Sequence, residues 1–240
     1  MDGSDVEGWV AWIDAAHRDG RLLDAPDGPG DLDLSTAYAV QQRLTARRQE
    51  RGARRIGWKL GYTSAVMREQ MGVDSPNFGP LLDTMVIAPG AAVPASLVQP
   101  RVEPEVGLVV DAEGRPVAAR AVLEVVDSVW RDYRFGLATN TADGSSAAGV
   151  VVGDPLDRDL AALTVELRRN GEPVATGSGD AAMGHPHRAL AWLRDELAAR
   201  GEALRAGDLV ITGGLTRAVP LAAGDVVEAR FPGATVAVRR

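Results

Sequence analysis

QPRVEPEVGLVV, residues 99–110, sets two glutamates one residue apart at the entrance to a hydrophobic run. Val106, Leu108, Val109 and Val110 have the composition of a buried strand. Side chains alternate faces along a strand, so Glu103 and Glu105 point the same way. Two carboxylates side by side repel each other unless something positive lies between them. A metal ion, a lysine or arginine, or water could fill that gap. Pro104, between the two, cannot donate a ladder hydrogen bond and so marks a strand start, an edge or a bulge.

Upstream of this strand the pattern is mainly helical. Val6, Trp9, Val10, Trp12 and Ile13 recur at helical spacing over residues 5–20, with Trp9 and Trp12 as core residues. DAPDGPGDLD is a loop. Ser35 is the expected cap of STAYAVQQRLTARRQERG, a helix that buries Ala37, Val40 and Leu44 and stops near Gly52. IGWKLGYT reads as a strand and SAVMREQMG as a short helix. Beyond about residue 80, short β runs alternate with Pro and Gly turns, among them MVIAPG, AAVPASLV, AAGVVVGDP, DLVITGG, DVVEARFPG and TVAVRR. RRNGEPV carries an Asn-Gly hairpin signal. HPHRALAWLRDELAARG is a helix with Leu190, Leu193 and Leu197 on one face, and His185 caps or packs at its start. The class is α+β, with a mostly helical part over 1–78 that includes the Lys59 strand, and a β-rich body over 79–240.

With 240 residues and a formal net charge of −7, the chain lacks the clustered basic surface that nucleic-acid binding requires. RGARR, residues 51–55, is its one compact basic run and reads as a solvated helix end. There are no cysteines, which excludes disulfides and thiolate metal sites. The three histidines, His17, His185 and His187, are too scattered for a three-histidine zinc site. No stretch of 18 apolar residues suggests a membrane span, and the acidic N-terminus is unlike a signal peptide. A cytoplasmic enzyme of small molecules is the expectation.

Glu124, in AVLEVVDSVW, sits inside an apolar run, where a buried carboxylate must be paired, hydrogen-bonded or bound to metal. Arg101 is a possible partner for it. Together with Glu103 and Glu105 it offers a hard oxygen set that suits Mg²⁺, Mn²⁺ or Ca²⁺ over zinc. Lys59 shares a strand face with Gly57 and Gly61, which leaves open space around it for a ligand and for carboxylates. The turn ITGGLT, with Gly213, Gly214 and Thr216, can offer backbone N–H groups to a substrate carboxylate. Asp143 in TADGSS is a further loop carboxylate. Taken singly each of these has a plain alternative: a solvated E-x-E face, a surface lysine, an ordinary turn.

The motifs GWKLGYTS, MGVDSPNFGPLLDTM, QPRVEPEVGLVV, LEVVDSVWRDYRF, TADGSS, GHPHRALAWL and GDLVITGGLTRAVPLAAGD occur in an order that resembles the 2-hydroxypentadienoate (2-keto-4-pentenoate) hydratases. These share a branch with the 4-oxalocrotonate decarboxylases in the fumarylacetoacetate hydrolase superfamily. The resemblance runs from about residue 35 to the C-terminus. It implies a mixed β-sandwich roll with a smaller helical N-terminal part, and a homo-oligomer. It implies Mg²⁺ or Mn²⁺ held by Glu103, Glu105 and Glu124, with Lys59 as the active-site lysine. A 2-oxo acid would chelate the metal, and water would add to a 2-hydroxy-2,4-dienoate to give a 4-hydroxy-2-oxo acid.

Two departures fall where the substrate is expected. PNFG has Asn77 where the hydratases commonly carry an aspartate, so this catalytic position cannot take up a proton at neutral pH. TADGSS has Gly144 in place of the usual asparagine beside Asp143. Both leave room for a decarboxylase acting on a 2-oxo-enedioate, or for a biosynthetic enzyme built on the same scaffold. A non-catalytic partner subunit is a further alternative. Carbon–carbon bond hydrolysis would need a water-activating His–Glu pair, for which the N-terminal part offers only His17.

Overall fold

A computed structural model describes residues 3–25, 28–65, 68–69, 72–157 and 159–240. The expected helix at SAVMREQMG lies largely outside these residues, and the loop DAPDGPGDLD partly so. Mixed sheets and helices make the fold α+β. Helices α1 (Gly3–Asp19) and α2 (Leu34–Glu50) pack together and bury Trp9, Val10, Ile13, Val40 and Leu44. Trp130 joins them from the main body, its ring edge-on to Trp9 at 6.4 Å. The cap of α2 is Asp33, whose Oδ1 accepts from Thr36 N at 2.7 Å; it takes the place expected of Ser35. Both residue types cap well, and the cap lies two residues earlier than expected.

The large sheet has the order β2-β1-β9-β4-β5-β6-β3, with β10 also on β4. Its strands are β1 (Arg55–Gly61), β2 (Asn77–Leu82), β3 (Val86–Ile87), β4 (Arg101–Val110), β5 (Pro116–Val126), β6 (Ala147–Pro155), β9 (Leu209–Ile211) and β10 (Val219–Pro220). Pairs β1–β9 and β3–β6 are parallel and the other pairs antiparallel. The Lys59 strand is thus an inner strand of this sheet, and the residue 78/79 division falls inside β2. The runs MVIAPG and AAVPASLV supply only the two-residue β3 and an isolated bridge at Ala92.

The small antiparallel sheet has the order β12-β11-β7-β8, from β7 (Thr164–Arg169), β8 (Glu172–Ser178), β11 (Val226–Phe231) and β12 (Ala234–Arg239). Asn170 and Gly171, at φ 54° and 85°, turn the β7–β8 hairpin in the left-handed conformation that an Asn-Gly pair allows. A short helix α3 (Leu137–Ala142) precedes β6, and α4 (Pro186–Ala198) is capped by His185, whose Nδ1 accepts from His187 N at 3.0 Å. Leu190, Leu193 and Leu197 of α4 are buried in the main core.

Alternation along β4 divides the molecule. Val102, Val106, Leu108 and Val110 enter the core that the large sheet shares with the small sheet and α4. Arg101, Glu103, Glu105 and Gly107 face the other way. Pro104 is not at a strand end: it pairs with Leu123 in mid-strand. It falls in the gap between the stretch of β4 held by β9 and the stretch held by β10. Its carbonyl accepts from Leu215 N at 2.9 Å, so its missing N–H faces that same gap and breaks no ladder. The loop over 212–218 occupies the gap and leans over the glutamates.

Candidate active site

Glu103 on β4 lies directly opposite Glu124 on β5, and Glu105 lies opposite Val122. Like charges facing each other across a ladder are unfavourable, yet all three carboxylates converge, each offering an oxygen within 4.8 Å of the others. Glu105 and Glu124 are fully buried. Lys59 is 3% exposed, and its Nζ lies 3.1 Å from Glu124 Oε2. It also donates to the carbonyl of Ser145 at 2.9 Å. Glu124 therefore pairs with Lys59 and not with Arg101, whose guanidinium stacks 4.0 Å from the Tyr133 ring centroid.

Glu105 Oε1 and both oxygens of Glu124 are buried without a hydrogen-bond partner, the Lys59 contact being a close charge pair off the bonding direction. Three ionised carboxylates and one ammonium would leave two negative charges uncovered. A divalent cation matches that charge, the hard oxygen donors suit Mg²⁺, Mn²⁺ or Ca²⁺, and the orphaned oxygens supply coordinating atoms. The residues present fit such an ion.

The environment shifts every one of these groups. Burial, then the Glu124 charge, pushes the Glu103 carboxyl up to about 8. Burial, followed by Glu124 and Glu103, raises Glu105 well above the usual carboxylate range. Burial also raises Glu124, with Lys59 pulling the other way. Burial works against the Lys59 ammonium, but Glu124, Glu103 and Glu105 together hold its pKa above the ordinary value. Glu103 thus binds its proton more tightly folded than unfolded, and its stabilising contribution is complete below about pH 4.5 and lost as pH rises through about 8. Metal-free protein is expected to melt at progressively lower temperature across that window, and Glu103→Gln to flatten the slope, in thermal melts with a chelator present. An unchanged slope in the variant would mean that Glu103 is ionised throughout.

A cavity of about 270 Å³ opens over this cluster. Tyr62, Tyr133, Ser145 and Ser146 line it, and all four hold left-handed backbone, at φ 57° to 59°. Such conformations cost about 1–3 kcal/mol each for non-glycine residues and tend to gather where the chain must present a particular group. Here the left-handed turn at 145 aims the Ser145 carbonyl at Lys59.

The structure places the other expected site residues differently. Asn77 is fully buried behind the cavity wall. Its Nδ2 donates to Asn140 Oδ1 and Thr141 Oγ1, both at 2.9 Å, and its Oδ1 accepts from Ser145 Oγ at 2.9 Å. Asn77 is saturated, and it fixes Asn140 and Ser145, which do face the cavity. Asp143 does not reach the cavity. Its Oδ1 bonds His17 Nε2 at 2.6 Å, and its Oδ2 accepts from Ser128 Oγ and Val129 N. Asp143 is therefore directed at α1 and not at a substrate: it ties that helix to Ser128 and Val129. Gly213 N donates to Glu105 Oε2 at 2.7 Å, so its N–H orients a glutamate and is not available to a substrate. Gly214 and Thr216 line the cavity. A Cβ on Gly214 would meet Glu103 Oε2 at 2.3 Å, which explains why glycine stands there. The glycines flanking Lys59 do not open space for a ligand. A Cβ at 57 would meet Leu209 O at 1.9 Å, and one at 61 would meet Asn77 Oδ1 at 2.3 Å. The Arg51–Arg55 run is paired: Arg51 with Asp14, Arg54 with Asp83, and Arg55 with Asp208 in a buried bridge.

Sequence reasoning missed Asn140 and the Ser145 carbonyl, which only the turn conformation brings to the site. It named Arg101 only as a partner for Glu124, although the spacing of Arg101, Glu103 and Glu105 already set all three on one face.

The family model for fumarylacetoacetate (FAA) hydrolase C-terminal matches residues 59–239, from Lys59 to the end of β12. The chain belongs to the fumarylacetoacetate hydrolase family. Within it, this fumarylacetoacetate hydrolase family member is 37% identical to the 2-keto-4-pentenoate hydratase of Burkholderia vietnamiensis (strain G4 / LMG 22486), over 97% of this chain and 95% of that one. It is 35% identical to the 4-oxalocrotonate decarboxylase of Pseudomonas sp. (strain CF600), over 91% and 92%. A solved structure of the 4-oxalocrotonate decarboxylase from Pseudomonas putida G7, complexed with magnesium and adipate, superposes with a TM-score of 0.92 at 30% identity, covering 100% of this chain and 98% of that one.

Proposed function

We propose that this protein is a metal-dependent lyase of the hydratase type, adding water to a 2-hydroxy-2,4-dienoate to give a 4-hydroxy-2-oxo acid. One observation carries the reading: Lys59 and three glutamates meet at the floor of a small cavity, with three buried carboxylate oxygens left without a hydrogen-bond partner. The hydratase and decarboxylase relatives support it over most of the chain. Glu103, Glu105 and Glu124 would hold Mg²⁺ or Mn²⁺. When bound, such an ion supplies Lewis acidity toward the oxygens of a 2-oxo acid.

The chain's own groups do the rest. Lys59 is kept as an ammonium by the glutamates and aimed by the Ser145 carbonyl. Its Nζ delivers a proton to the terminal carbon of the dienol and recovers one from the 2-hydroxyl, leaving a double bond conjugated to the 2-oxo group. Water then adds across that double bond, its hydroxyl going to C4 and its proton to C3. The Gly213 N–H fixes Glu105, and the Asn77 amide fixes the wall that carries Asn140 and Ser145. Gly214 and Thr216 border the substrate. We read the two sheets as the sandwich roll of this family with a helical N-terminal part, and the working form as a cytoplasmic homo-oligomer. No helix among the described residues is long and apolar enough to cross a membrane.

Decarboxylation of a 2-oxo-enedioate is a second reading, favoured by Asn77 in place of an acid and by the TM-score of 0.92 with a decarboxylase. His17, the histidine that carbon–carbon hydrolysis would call on, is held by Asp143 and does not line the cavity. The deciding assay offers Mg²⁺-loaded protein 2-hydroxypenta-2,4-dienoate and 2-oxohex-3-enedioate, and follows product and CO₂. Formation of the 4-hydroxy-2-oxo acid is the expected result. CO₂ release without hydration would move the assignment to the decarboxylase, and no turnover of either would remove both.

A further inference from the structure

β1 sends Trp58 and Leu60 into the main core and Lys59 to the other side, where the glutamates are. Strict alternation would send Tyr62 after Trp58 and Leu60. It does not go there. The strand ends at Gly61, Tyr62 takes a φ of 57°, and Tyr62 lines the cavity. Left-handed backbone is uncommon for so large a side chain and persists only where the surroundings impose it. Here Arg68 imposes it, its Nη1 donating to the carbonyls of Tyr62 at 2.7 Å and Thr63 at 3.1 Å. The neighbours on either side are pressed into place as well, Gly61 against Asn77 and Thr63 against Gly213.

The phenol presented in this way is unspent: its hydroxyl bonds no described residue. The other hydroxyls nearby are engaged. Tyr133 gives its own to the carbonyls of Gln99 and Val126, Ser145 Oγ donates to Asn77, and Ser146 Oγ accepts from Asn140 Nδ2. Burial, then the Glu103 charge, pushes the Tyr62 phenol up. It therefore keeps its proton at neutral pH and offers a neutral O–H beside the glutamate cluster.

A 2-oxo acid reacting at this cluster gathers charge on one atom. When the hydroxyl of water joins C4, the C3–C4 electron pair shifts to C2–C3 and the carbonyl pair moves onto the 2-oxo oxygen. Both return when C3 takes its proton. Loss of CO₂ from a 2-oxo-enedioate loads the same oxygen. A fixed O–H donor binds an anionic oxygen more strongly than a carbonyl, so it favours the reacting state over the ground state. We propose that the Tyr62 hydroxyl donates a hydrogen bond to the 2-oxo oxygen of the substrate, which makes Tyr62 a catalytic residue additional to Lys59 and the glutamates. This rests on the 2-oxo acid reading above.

The test is calorimetric titration of Mg²⁺-loaded wild type and Tyr62→Phe with pyruvate and with oxalate. The two ligands share one carboxylate. Oxalate carries a charged oxygen where pyruvate has its 2-oxo oxygen, and so stands in for the anionic state. Tyr62→Phe is expected to weaken oxalate by about tenfold to a hundredfold and pyruvate by less than about threefold. On the substrate that wild type turns over, kcat is expected to fall by a similar factor with KM little changed. The variant removes one oxygen and keeps the ring, and its retained pyruvate binding reports an intact site. Equal oxalate affinity in the two proteins overturns the proposal. So does equal weakening of both ligands, which would put the hydroxyl on the shared carboxylate. Failure of wild type to bind either ligand instead overturns the 2-oxo acid reading itself. Should Tyr62→Phe melt early, the ratio of its oxalate and pyruvate affinities, measured well below both melting temperatures, decides: a wild-type ratio there overturns the proposal.

Discussion

Glu105→Gln lowers turnover by about 10³, the equivalent of about 4 kcal/mol of transition-state stabilisation, and removes measurable Mg²⁺ binding. Glu105 is the strongest choice because it is fully buried and already oriented by the Gly213 N–H, leaving Oε1 as a free donor atom for an ion. An amide keeps the Gly213 hydrogen bond through its carbonyl but offers an N–H₂ where the ion needs an oxygen. The same change has the opposite effect on the metal-free fold. One of three mutually repelling carboxylates disappears, and the new donor can satisfy an orphaned oxygen of Glu124. Metal-free Glu105→Gln is thus expected to be more stable than metal-free wild type by about 1–3 kcal/mol. Wild type, in turn, gains about 2.7 kcal/mol when Mg²⁺ is a hundredfold above its Kd, and the variant gains nothing. Calorimetric titration and paired melts with Mg²⁺ and with chelator read the binding and stability effects, and a steady-state assay reads the turnover. A variant that still binds Mg²⁺ and turns over normally removes Glu105 from the site.

Lys59→Met produces the second large effect. Lys59 is the cation placed among the three glutamates, and its removal leaves Glu124 with no opposing charge. Breaking a buried pair from one side costs about 3–5 kcal/mol, so the metal-free variant melts well below wild type. The double variant Lys59→Met/Glu124→Gln recovers much of this loss, because it replaces an unpaired charge with a neutral pair. Turnover behaves differently: loss of a positioned proton donor lowers it by about 10²–10⁴, and the double variant does not restore it. Melting temperature and turnover that recover together in the double variant would reduce Lys59 to a structural counter-charge.

Much of this site was legible along the chain because β4 alternates between charged and apolar residues from Arg101 to Val106. The even positions are apolar and the odd ones carry Arg101, Glu103 and Glu105, so a single strand announces both a core and a charged face. Glu124 was legible as a carboxylate inside an apolar run, where burial forces a partner on it. Its register against Glu103 was not, since strand pairing is set by the whole sheet. Pro104 was misjudged for the same reason: whether a missing N–H breaks a ladder depends on a gap between β9 and β10 that only the assembled sheet reveals. Gly57 and Gly61 looked like space for a ligand and proved to be close approaches to Leu209 and Asn77. A glycine marks crowding and openness alike, and sequence does not say which. Asp143 shows the remaining limit. Three successive left-handed residues, Gly144, Ser145 and Ser146, redirect the chain, and nothing in their side-chain chemistry foretells that for the two serines.

The Lys59 ammonium is leashed to a main-chain oxygen at position 145, and point mutation does not edit main-chain oxygens. Descendants of this protein can swap the serine there and keep the leash, provided the newcomer tolerates a backbone torsion near +57°. What drift at that position alters first is the Oγ tether to Asn77. The aim of the lysine is inherited through chain shape, and counting matching letters at residue 145 will underestimate how faithfully it is passed on.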